Sequence, residues 1–459
     1  QAYAGHQFGH FTMLGDGRAV LMGEHISKNN ERFDIQFKGS GKTPFSRNGD
    51  GKAVLGPMLR EYIISEAMHA LKIPTTRSLA VVKTNEDIVR ENVLQGAILT
   101  RVSSSHIRVG TFQYITARKN NNELKVIFDY TIDRHYPNIK NSKNKAIEFL
   151  KVLIEKQINL VVNWMRVGFI HGVMNTDNMA LSGETIDYGP CAFMDIYDPQ
   201  TVFSSIDQMG RYAYFNQPSI TKWNLARFAE CLIPLIDENK DKAINIATEI
   251  INAFEKNYEE KWLNMMRDKI GLFGKEEKDQ VLILDLLTWM HKNKVDYTNT
   301  FCHLMGIEID DEVYKNDDFK NWNNEWQKRL KLNNSSDKYL ELMKKTNPVV
   351  IPRNQKVEND KIFNDESLQV WQKRWKDRLM LNNNTPEKYL KLMRSVNPLV
   401  IPRNYKVEEA LEAANNNNPT LVKKLIKILE SPYENHKEIT NYQSCGPLGE
   451  KKYQTFCGT

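Results

Sequence analysis

The stretch from Phe169 to Pro190, FIHGVMNTDNMALSGETIDYGP, constrains the fold of this chain more than any other feature. It carries two acidic residues, Asp177 and Asp187, with Asn178 beside the first and a Tyr-Gly pair after the second. The residues from Met179 onward predict a short hairpin around a Ser-Gly turn. Such a hairpin would bring Asn178 and Asp187 to one edge, where hard oxygen ligands can hold Mg²⁺. A polar loop between buried strands is the alternative interpretation of this segment taken alone.

A long helix and an earlier strand-rich part frame this stretch. Residues Lys145 to Val167 have apolar side chains at helical spacing, and Gly168 is a natural helix stop. Two strands are predicted within residues 18–38, and strict alternation in the second puts apolar side chains on one face and polar ones on the other. The apolar face holds Phe33, Ile35 and Phe37, and the polar face holds Asp34, Gln36 and Lys38.

The rest of the first part predicts one helix and two more strands. The helix runs from about Val54 to Leu71 and carries Glu61 in its middle, and the strands cover Ser78 to Lys83 and Val93 to Val102. The residues from Lys119 to Glu123 predict a loop. A strand-rich first part followed by a helix-rich second part predicts two lobes with a cleft between them.

The region after residue 310 is predominantly helical and contains an internal repeat. The segment that starts at Trp322 recurs at Trp371, with an offset of 49 residues at the tryptophans and 50 at the Asn-Pro pairs. Two copies are too few for a stable solenoid, so a duplicated helical accessory unit is predicted.

Composition narrows the functional class only moderately. A net charge of +6 over 459 residues fits a polyanionic small ligand and does not suggest a nucleic-acid-binding protein. Five scattered cysteines suit neither a disulfide scaffold nor a zinc site. Because no stretch of about 18 uncharged apolar residues occurs, we expect no membrane span.

Two familiar motifs are rejected on their spacing. GSGKT, from Gly39 to Thr43, lacks the glycine that a P-loop requires at position 36, where the chain has Gln36. HQFGH, from His6 to His10, resembles a metalloprotease zinc helix, but Gln7 replaces the required Glu.

Two glycine turns and two arginines are better candidates for phosphate binding. LGDGRAVL contains Gly15, Gly17 and Arg18, and NGDGKAVL contains Asp50 and Gly51. Glycine turns let backbone N–H groups approach phosphates closely, although such a turn alone is more often a plain hairpin. Arg101 and Arg108 likewise have two possible interpretations: they form a fork for phosphate oxygens, or they are two ordinary surface arginines.

The order of these residues along the chain is that of a protein kinase nucleotide site. A strand Lys38, a helix Glu61, a loop Asp-Asn and an Asp-Tyr-Gly follow one another as in kinases, with Glu61 holding Lys38 on the phosphates. The chain departs from the kinase pattern in two ways: Asn178 directly follows Asp177, and the usual His-Arg-Asp motif is absent. These residues alone are compatible with two functions: ordinary phosphotransfer, and a pseudokinase scaffold that only binds nucleotide.

Several longer motifs resemble the selenoprotein O family over nearly the whole chain. They include YAGHQFG, LGDGRAVLMGE, FKGSGKTPFSRNGDGKAVLGPMLREY, SSSHIRVGTFQY, HGVMNTDNM and DYGPCAFMD. The resemblance implies an α+β, protein-kinase-like bilobal fold with a helical C-terminal extension. It also implies a protein adenylyltransferase that binds ATP in a flipped orientation and transfers AMP to Ser, Thr or Tyr hydroxyls, releasing pyrophosphate.

The resemblance further implies lobes, roles and partners for this chain. The small nucleotide-binding lobe would span residues 1–110, with a part expected upstream; the large lobe 111–310; and the extension 311–459. Asp177 would accept the proton, Asn178 and Asp187 would bind Mg²⁺ or alternatively Mn²⁺, and Arg101 and Arg108 would bind the terminal phosphate. The remaining nucleotide contacts would come from Gly15, Gly17, Arg18, Lys38, Asp50 and Gly51, with Glu61 paired to Lys38.

The partners implied are ATP and proteins with hydroxyl side chains, including the chain itself, with no nucleic acid. The compartment implied is the mitochondrion for a eukaryotic member and the cytoplasm for a bacterial one. Cys457 stands where many eukaryotic members carry selenocysteine. Bacterial relatives can join a tail cysteine to one in the activation segment, but TVFSSIDQ has none, which puts a redox switch in doubt.

Overall fold

The computed structural model describes residues 3–307, 309, 312–332, 338–348 and 404–430. The second copy of the duplicated unit, Cys445 and Cys457 lie outside the described residues. Within them, helices and antiparallel strands are mixed, as expected for the α+β class.

Seven strands lie in the first 103 residues: five of them form an antiparallel sheet and two form a small two-stranded sheet, and a second two-stranded sheet lies within residues 169–193. In the large sheet β7 (Val93–Ser103) is central: it pairs with β6 (Arg77–Val89) on one side and with both β4 (Arg32–Lys38) and β5 (Ala53–Val54) on the other. The strands are β1 Tyr3–Gln7, β2 His10–Gly15, β3 Ala19–Ile26, β4 Arg32–Lys38, β5 Ala53–Val54, β6 Arg77–Val89, β7 Val93–Ser103, β8 Phe169–Ile170 and β9 Ala192–Phe193.

Helices make up most of the remaining described chain. They are α1 Leu55–Ala70, α2 Val109–Ala117, α3 Asn121–His135, α4 Lys145–Val167, α5 Gln217–Ile236, α6 Lys240–Asn252, α7 Phe254–Lys269, α8 Asp279–Lys292, α9 Tyr297–Leu304, α10 Asp317–Lys331, α11 Lys338–Thr346, α12 Asn404–Asn415 and α13 Thr420–Glu430. No helix among the described residues is long and apolar enough to cross a membrane.

Helix α4 is the buried helix that delivers the chain to the Phe169–Pro190 stretch, and its predicted bounds are confirmed. The Asn144 side chain caps its N-terminus by accepting the Ile147 N–H. Gly168 ends it in the left-handed region, at φ 72°, which glycine adopts without steric cost. Its apolar face packs in the largest hydrophobic core.

Strand β4 alternates as predicted, but its buried face is the polar one. Asp34, Gln36 and Lys38 are buried, whereas the apolar residues between them are half-buried. Each polar side chain on this face has a charged partner: Asp34 pairs with Arg134, and Gln36 accepts from Arg101. This face therefore points toward the charged groups of the candidate site.

Two local predictions were wrong. The residues after Asn178 do not pair with each other as a hairpin; Ala180 forms a bridge with Arg108, and Thr185 with Thr75. The predicted loop at Lys119–Glu123 contains the start of α3, where the Asn120 side chain accepts the N–H groups of Asn122 and Glu123. Asparagine-rich composition thus marked a helix cap.

The described C-terminal helices return to the first part of the chain. Helices α12 and α13 pack against α1 in a second hydrophobic core that includes Leu59, Leu411 and Leu425. Arg60 of α1 also pairs with Glu408 at 2.5 Å. The helix that carries Glu61 is therefore covered on its outer side by the C-terminal region.

Candidate active site

A cavity of about 920 Å³ lies where the Gly-rich turns of the first part meet the Phe169–Pro190 stretch. Its lining includes most of the site residues predicted from the sequence: Gly17, Arg18, Asp50, Gly51, Asp177, Asn178 and Asp187. The other predicted residues do not line it. Lys38, Glu61 and Arg101 lie behind Asp187, Arg108 lies behind Asp177, and Gly15 packs against Phe45.

The first glycine turn is fixed by Asp16, which the sequence analysis did not assign. Its carboxylate accepts the Arg18 N–H at 3.0 Å and the hydroxyls of Thr43 and Ser46 from the second glycine loop. Burial opposes the charged form, but these hydrogen bonds outweigh it and lower the pKa of Asp16. One ionised carboxylate therefore holds both glycine loops together at the cavity.

The second glycine loop is fixed by an ion pair. Arg90 donates to both carboxylate oxygens of Asp50, at 2.9 and 3.0 Å, and both residues line the cavity. The hydrogen bonds from Arg90 lower the pKa of Asp50. Arg47 lines the cavity too, so three arginines, with Arg18, border it. Neither Arg47 nor Arg90 was predicted: Arg47 lies within a recognised motif but was given no role there, and Arg90 lies outside the quoted motifs.

Two cations and two carboxylates form a cluster at the inner wall of the cavity, in which Lys38, Glu61 and Arg101 are buried and Asp187 faces the cavity. Lys38 Nζ lies 2.9 Å from Glu61 Oε2 and also bonds to Asp187. Arg101 donates to Glu61 at 2.7 Å, to Gln36 at 3.0 Å and to Asp187 at 3.1 Å. The Lys38–Glu61 pair predicted from the kinase order is thus present, and Arg101 shares it.

Asp187 is held as an anion by this cluster. Its burial alone would raise the pKa, but the charges of Lys38 and Arg101 outweigh burial and hold it far below the usual range. Its backbone adopts φ 69°, a region that few residues other than glycine occupy and that is common at functional sites.

Asp177 has the opposite electrostatic character. Its side chain is 4% exposed, and burial raises its pKa to about 7, although the nearby Arg108 charge lowers it. Its Oδ1 atom has no hydrogen-bond partner among the described residues. A carboxylate with a pKa near neutrality and an open acceptor is suited to take up a proton.

Asn178 is the second group with an unsatisfied oxygen. Its Nδ2 donates to Val173 O at 3.1 Å, which orients the amide, while Oδ1 is buried without a partner among the described residues. An amide oxygen that lines the same cavity as the Asp187 carboxylate fits Mg²⁺, which commonly binds one or two protein oxygens together with substrate phosphates.

The two arginines predicted to form a phosphate fork contact different groups of the site. Arg101 contacts the Asp187 cluster, whereas Arg108 donates Nε to His106 O at 3.2 Å and Nη1 to Asp177 O at 3.3 Å. The Arg108 guanidinium also lies 4.2 Å from the centre of the Tyr3 ring, a cation–π contact. Each arginine is therefore tied to one of the two aspartates.

Strand β1 contains the rejected zinc motif and contacts the loop that carries Asp177. His6 N–H donates to Thr176 Oγ1 at 2.6 Å, and Phe8 N–H donates to Asn175 Oδ1 at 3.3 Å. A Cβ atom at Gly5 would lie 2.6 Å from the Asp177 N atom, so only glycine fits there. The sequence offered no signal for this packing, because it joins segments about 170 residues apart.

The cavity is bordered by three arginines, by two glycine loops that include Asp16 and Asp50, and by the two contrasting carboxylates of Asp177 and Asp187. Such a cavity is suited to a nucleotide with its phosphates. The chain is an enzyme of the nucleotidyltransferase class. It belongs to the SelO family, since residues 1–430 match the family model described as protein adenylyltransferase SelO. The resemblance read from the sequence motifs is thereby confirmed.

Similar proteins match over the full length of this chain. A protein nucleotidyltransferase YdiU of Pelagibacter ubique is 61% identical over 100% of the chain and 85% of that protein. Proteins of the same name from Nitrosococcus oceani and Clostridium perfringens are each 51% identical, over 100% of the chain and 84% of their own length.

Proposed function

We propose that this chain transfers AMP from ATP to Ser, Thr or Tyr hydroxyls of proteins and releases pyrophosphate. The observation that carries the proposal is the contrast between the two aspartates of one cavity. Burial raises the pKa of Asp177 to about 7, while Lys38 and Arg101 keep Asp187 ionised despite its burial. One carboxylate is suited to proton transfer and the other to holding a cation.

The arrangement supports a kinase-like bilobal fold. The small lobe would span residues 1–110 and supply the glycine loops, Lys38 and Glu61. The large lobe, residues 111–310, would supply Asp177, Asn178 and Asp187, and residues 311–459 would form the helical extension. The Lys38–Glu61 pair at 2.9 Å supports this interpretation because the same pair orients ATP phosphates in protein kinases.

Asn178 and Asp187 would hold Mg²⁺, with Mn²⁺ as an alternative. The Oδ1 atom of Asn178, which has no partner among the described residues, supports this role, because a buried oxygen without a donor is costly and a bound cation would satisfy it. When bound, the metal supplies positive charge next to the phosphates. Lys38, held by Glu61, would contact the same phosphates, and the loops around Gly17 and Gly51 would let backbone N–H groups approach them.

The transfer step requires an acceptor oxygen in line with the α-phosphorus of ATP. The acceptor O–H loses its proton to the Asp177 carboxylate as its oxygen bonds to the α-phosphorus. The bond from that phosphorus to the bridging oxygen breaks, and pyrophosphate leaves with the bonding electrons. Catalysis then depends on positioning and on charge stabilisation.

Arg101 and Arg108 would decide which phosphorus faces the acceptor. Both are buried, and they contact Asp187 and Asp177 from behind the cavity. If the terminal phosphate of ATP lies against this inner wall, the α-phosphorus is left facing Asp177. AMP transfer would follow from that orientation, whereas an outward terminal phosphate would give ordinary phosphorylation.

Mass spectrometry of the chain and of co-incubated proteins, after reaction with ATP and Mg²⁺, tests the proposal. We expect 5′-AMP adducts on Ser, Thr or Tyr with the natural protein. We expect no adducts when the Asp177→Ala variant is used in its place. Phosphate adducts in place of AMP adducts would instead support the kinase alternative.

A further inference from the structure

Two exposed apolar side chains lie on the segment from Thr201 to Asn216, which reaches the cavity at Ile206. Ile206 is 60% exposed and lines the cavity itself, and Met209, three residues on, is 92% exposed. We call these two residues the apolar platform. Single exposed apolar residues are common, so the position and the rigidity of this pair carry the argument.

The backbone that bears the platform is fixed by hydrogen bonds. The Asp207 carboxylate accepts the N–H groups of Arg211 and Tyr212 at 2.9 and 2.8 Å, and Asn216 Nδ2 donates to Gly210 O at 2.7 Å. The Asp207 N–H also donates to Ser204 O at 3.2 Å. Ile206 and Met209 therefore project from a defined loop.

The same loop is tied to the residues around Asp177. Tyr212 OH donates to Asn175 Oδ1 at 2.6 Å, and the Tyr212 ring lies 5.1 Å from that of Phe8, which lines the cavity. Asn175 precedes Asp177 by two residues. The platform is thus held in a fixed position relative to the proposed proton acceptor.

We propose that the apolar platform binds the acceptor polypeptide and selects hydroxyl residues that have a large apolar neighbour. The inference rests on the proposed function, because an acceptor hydroxyl that reaches Asp177 must enter the cavity that Ile206 borders. A cavity of about 920 Å³ is of order 10 Å across, or roughly three residues of extended chain. The selected side chain would therefore lie within about three residues of the hydroxyl.

The two charged residues nearest the platform in the sequence, Asp207 and Arg211, are both engaged within the protein. The Asp207 carboxylate is occupied by backbone N–H groups. The Arg211 guanidinium stacks on the rings of Tyr212 and Trp223, with distances of 5.8 and 5.0 Å to their centres. The exposed side chains of this part of the loop are thus those of Ile206, Gln208 and Met209, and the two apolar ones offer apolar contact.

Labelling of synthetic peptides with α-labelled ATP and Mg²⁺ tests this proposal. Each peptide has one central serine, and matched sets carry Leu, Lys or Glu at the flanking positions. For the natural protein we expect kcat/KM to be about tenfold or more higher for Leu-flanked than for Glu-flanked peptides. Met209→Lys should reduce that ratio and raise labelling of the Glu-flanked set.

Val126→Lys is the matched control, since Val126 is 70% exposed on α3 and does not line the cavity. It should keep the natural preference. Equal labelling of all sets by the natural protein, or equal preferences in Met209→Lys and Val126→Lys, would overturn the inference and leave AMP transfer standing. Labelling of no peptide and no protein would overturn the proposed function, and this inference with it.

A second copy of the chain is the other occupant that could cover the platform. Analytical ultracentrifugation separates the two cases. If Met209→Lys shifts the oligomeric state but leaves the flank preference unchanged, the platform is an interface between copies, and the proposal is wrong. An unchanged sedimentation coefficient together with an altered flank preference supports acceptor binding.

Discussion

Arg101 contacts one oxygen of the Glu61 carboxylate with two nitrogens, at 2.7 Å from Nε and 2.5 Å from Nη2, and leaves the other oxygen to Lys38. Both Arg101 and Glu61 are 1% exposed. A buried carboxylate shared by two cations cannot lose either partner without a large electrostatic cost. Arg101 is therefore part of the framework that holds Lys38, whatever contact it also makes with a phosphate.

Replacing Glu61 by Gln should destabilise the fold strongly. The substitution leaves Lys38 and Arg101 buried with Asp187 as their only nearby carboxylate in the described cluster, and breaking a buried ion pair typically costs about 3–5 kcal/mol. Urea unfolding measures the loss. Asp129→Asn, which breaks exposed ion pairs with Lys125 and Lys145, is the control and should change stability little. Equal effects of the two substitutions would rule out a structural role for the cluster.

Arg108→Ala should reduce AMP transfer about 100-fold or more while the fold remains intact. Arg108 contacts Asp177 and Tyr3, and removal of one preorganised positive group from such a site commonly costs about 2.7–4 kcal/mol of transition-state stabilisation. Initial rates with α-labelled ATP and circular dichroism spectra give the two readouts. Arg118→Ala, at an exposed position, is the control. Natural rates in Arg108→Ala would contradict the inward position of the terminal phosphate.

The kcat/KM of AMP transfer should fall as the pH drops below about 7. Asp177 accepts a proton only when it is ionised, and burial raises its pKa to about 7 in the free protein. Each further pH unit below that value should lower kcat/KM about tenfold, because the ionised fraction falls by that factor. Measurement of kcat/KM for ATP as a function of pH, at saturating acceptor protein, tests this prediction. A flat profile from pH 5 to 8 would exclude Asp177 as the base.

Asp177→Asn should stabilise the fold at neutral pH even though it removes activity. The pKa of Asp177 is raised in the folded state from its ordinary 3.8 to about 7, so the unfolded state releases the proton first as the pH rises. The folded state loses stability through this range, by up to about 4 kcal/mol, and the loss is complete above pH 7. Urea unfolding at pH 4 and pH 8 should show that the advantage of the variant grows with pH.

Local sequence patterns correctly predicted the elements that are determined by neighbouring residues. Helix α4 was bounded correctly because its apolar spacing ends at a glycine, and Lys38 and Glu61 were paired correctly from their order on a strand and a helix. The predicted hairpin failed because Ala180 and Thr185 pair with Arg108 and Thr75, far away in the chain. Such partners cannot be recognised from neighbouring residues.

The same limit applies to the site. Asp16 and Arg90 hold the two glycine loops, but each acts on residues about 30 to 40 positions away. The contact of β1 with Thr176 spans 170 residues. The turns, the lysine and the aspartates were recognisable because their residue types suit phosphates and metals, whereas the groups that fix their geometry were recognisable only in three dimensions.

Paired labelling with α-labelled and γ-labelled ATP tests the central claim most directly. Two identical reactions contain the natural chain, Mg²⁺ and acceptor protein, and differ only in which phosphorus carries the label. AMP transfer predicts label on protein from α-labelled ATP alone, with the γ label recovered in pyrophosphate, and no protein label in Asp177→Ala. Label on protein from γ-labelled ATP alone would contradict the account and identify the chain as a phosphotransferase.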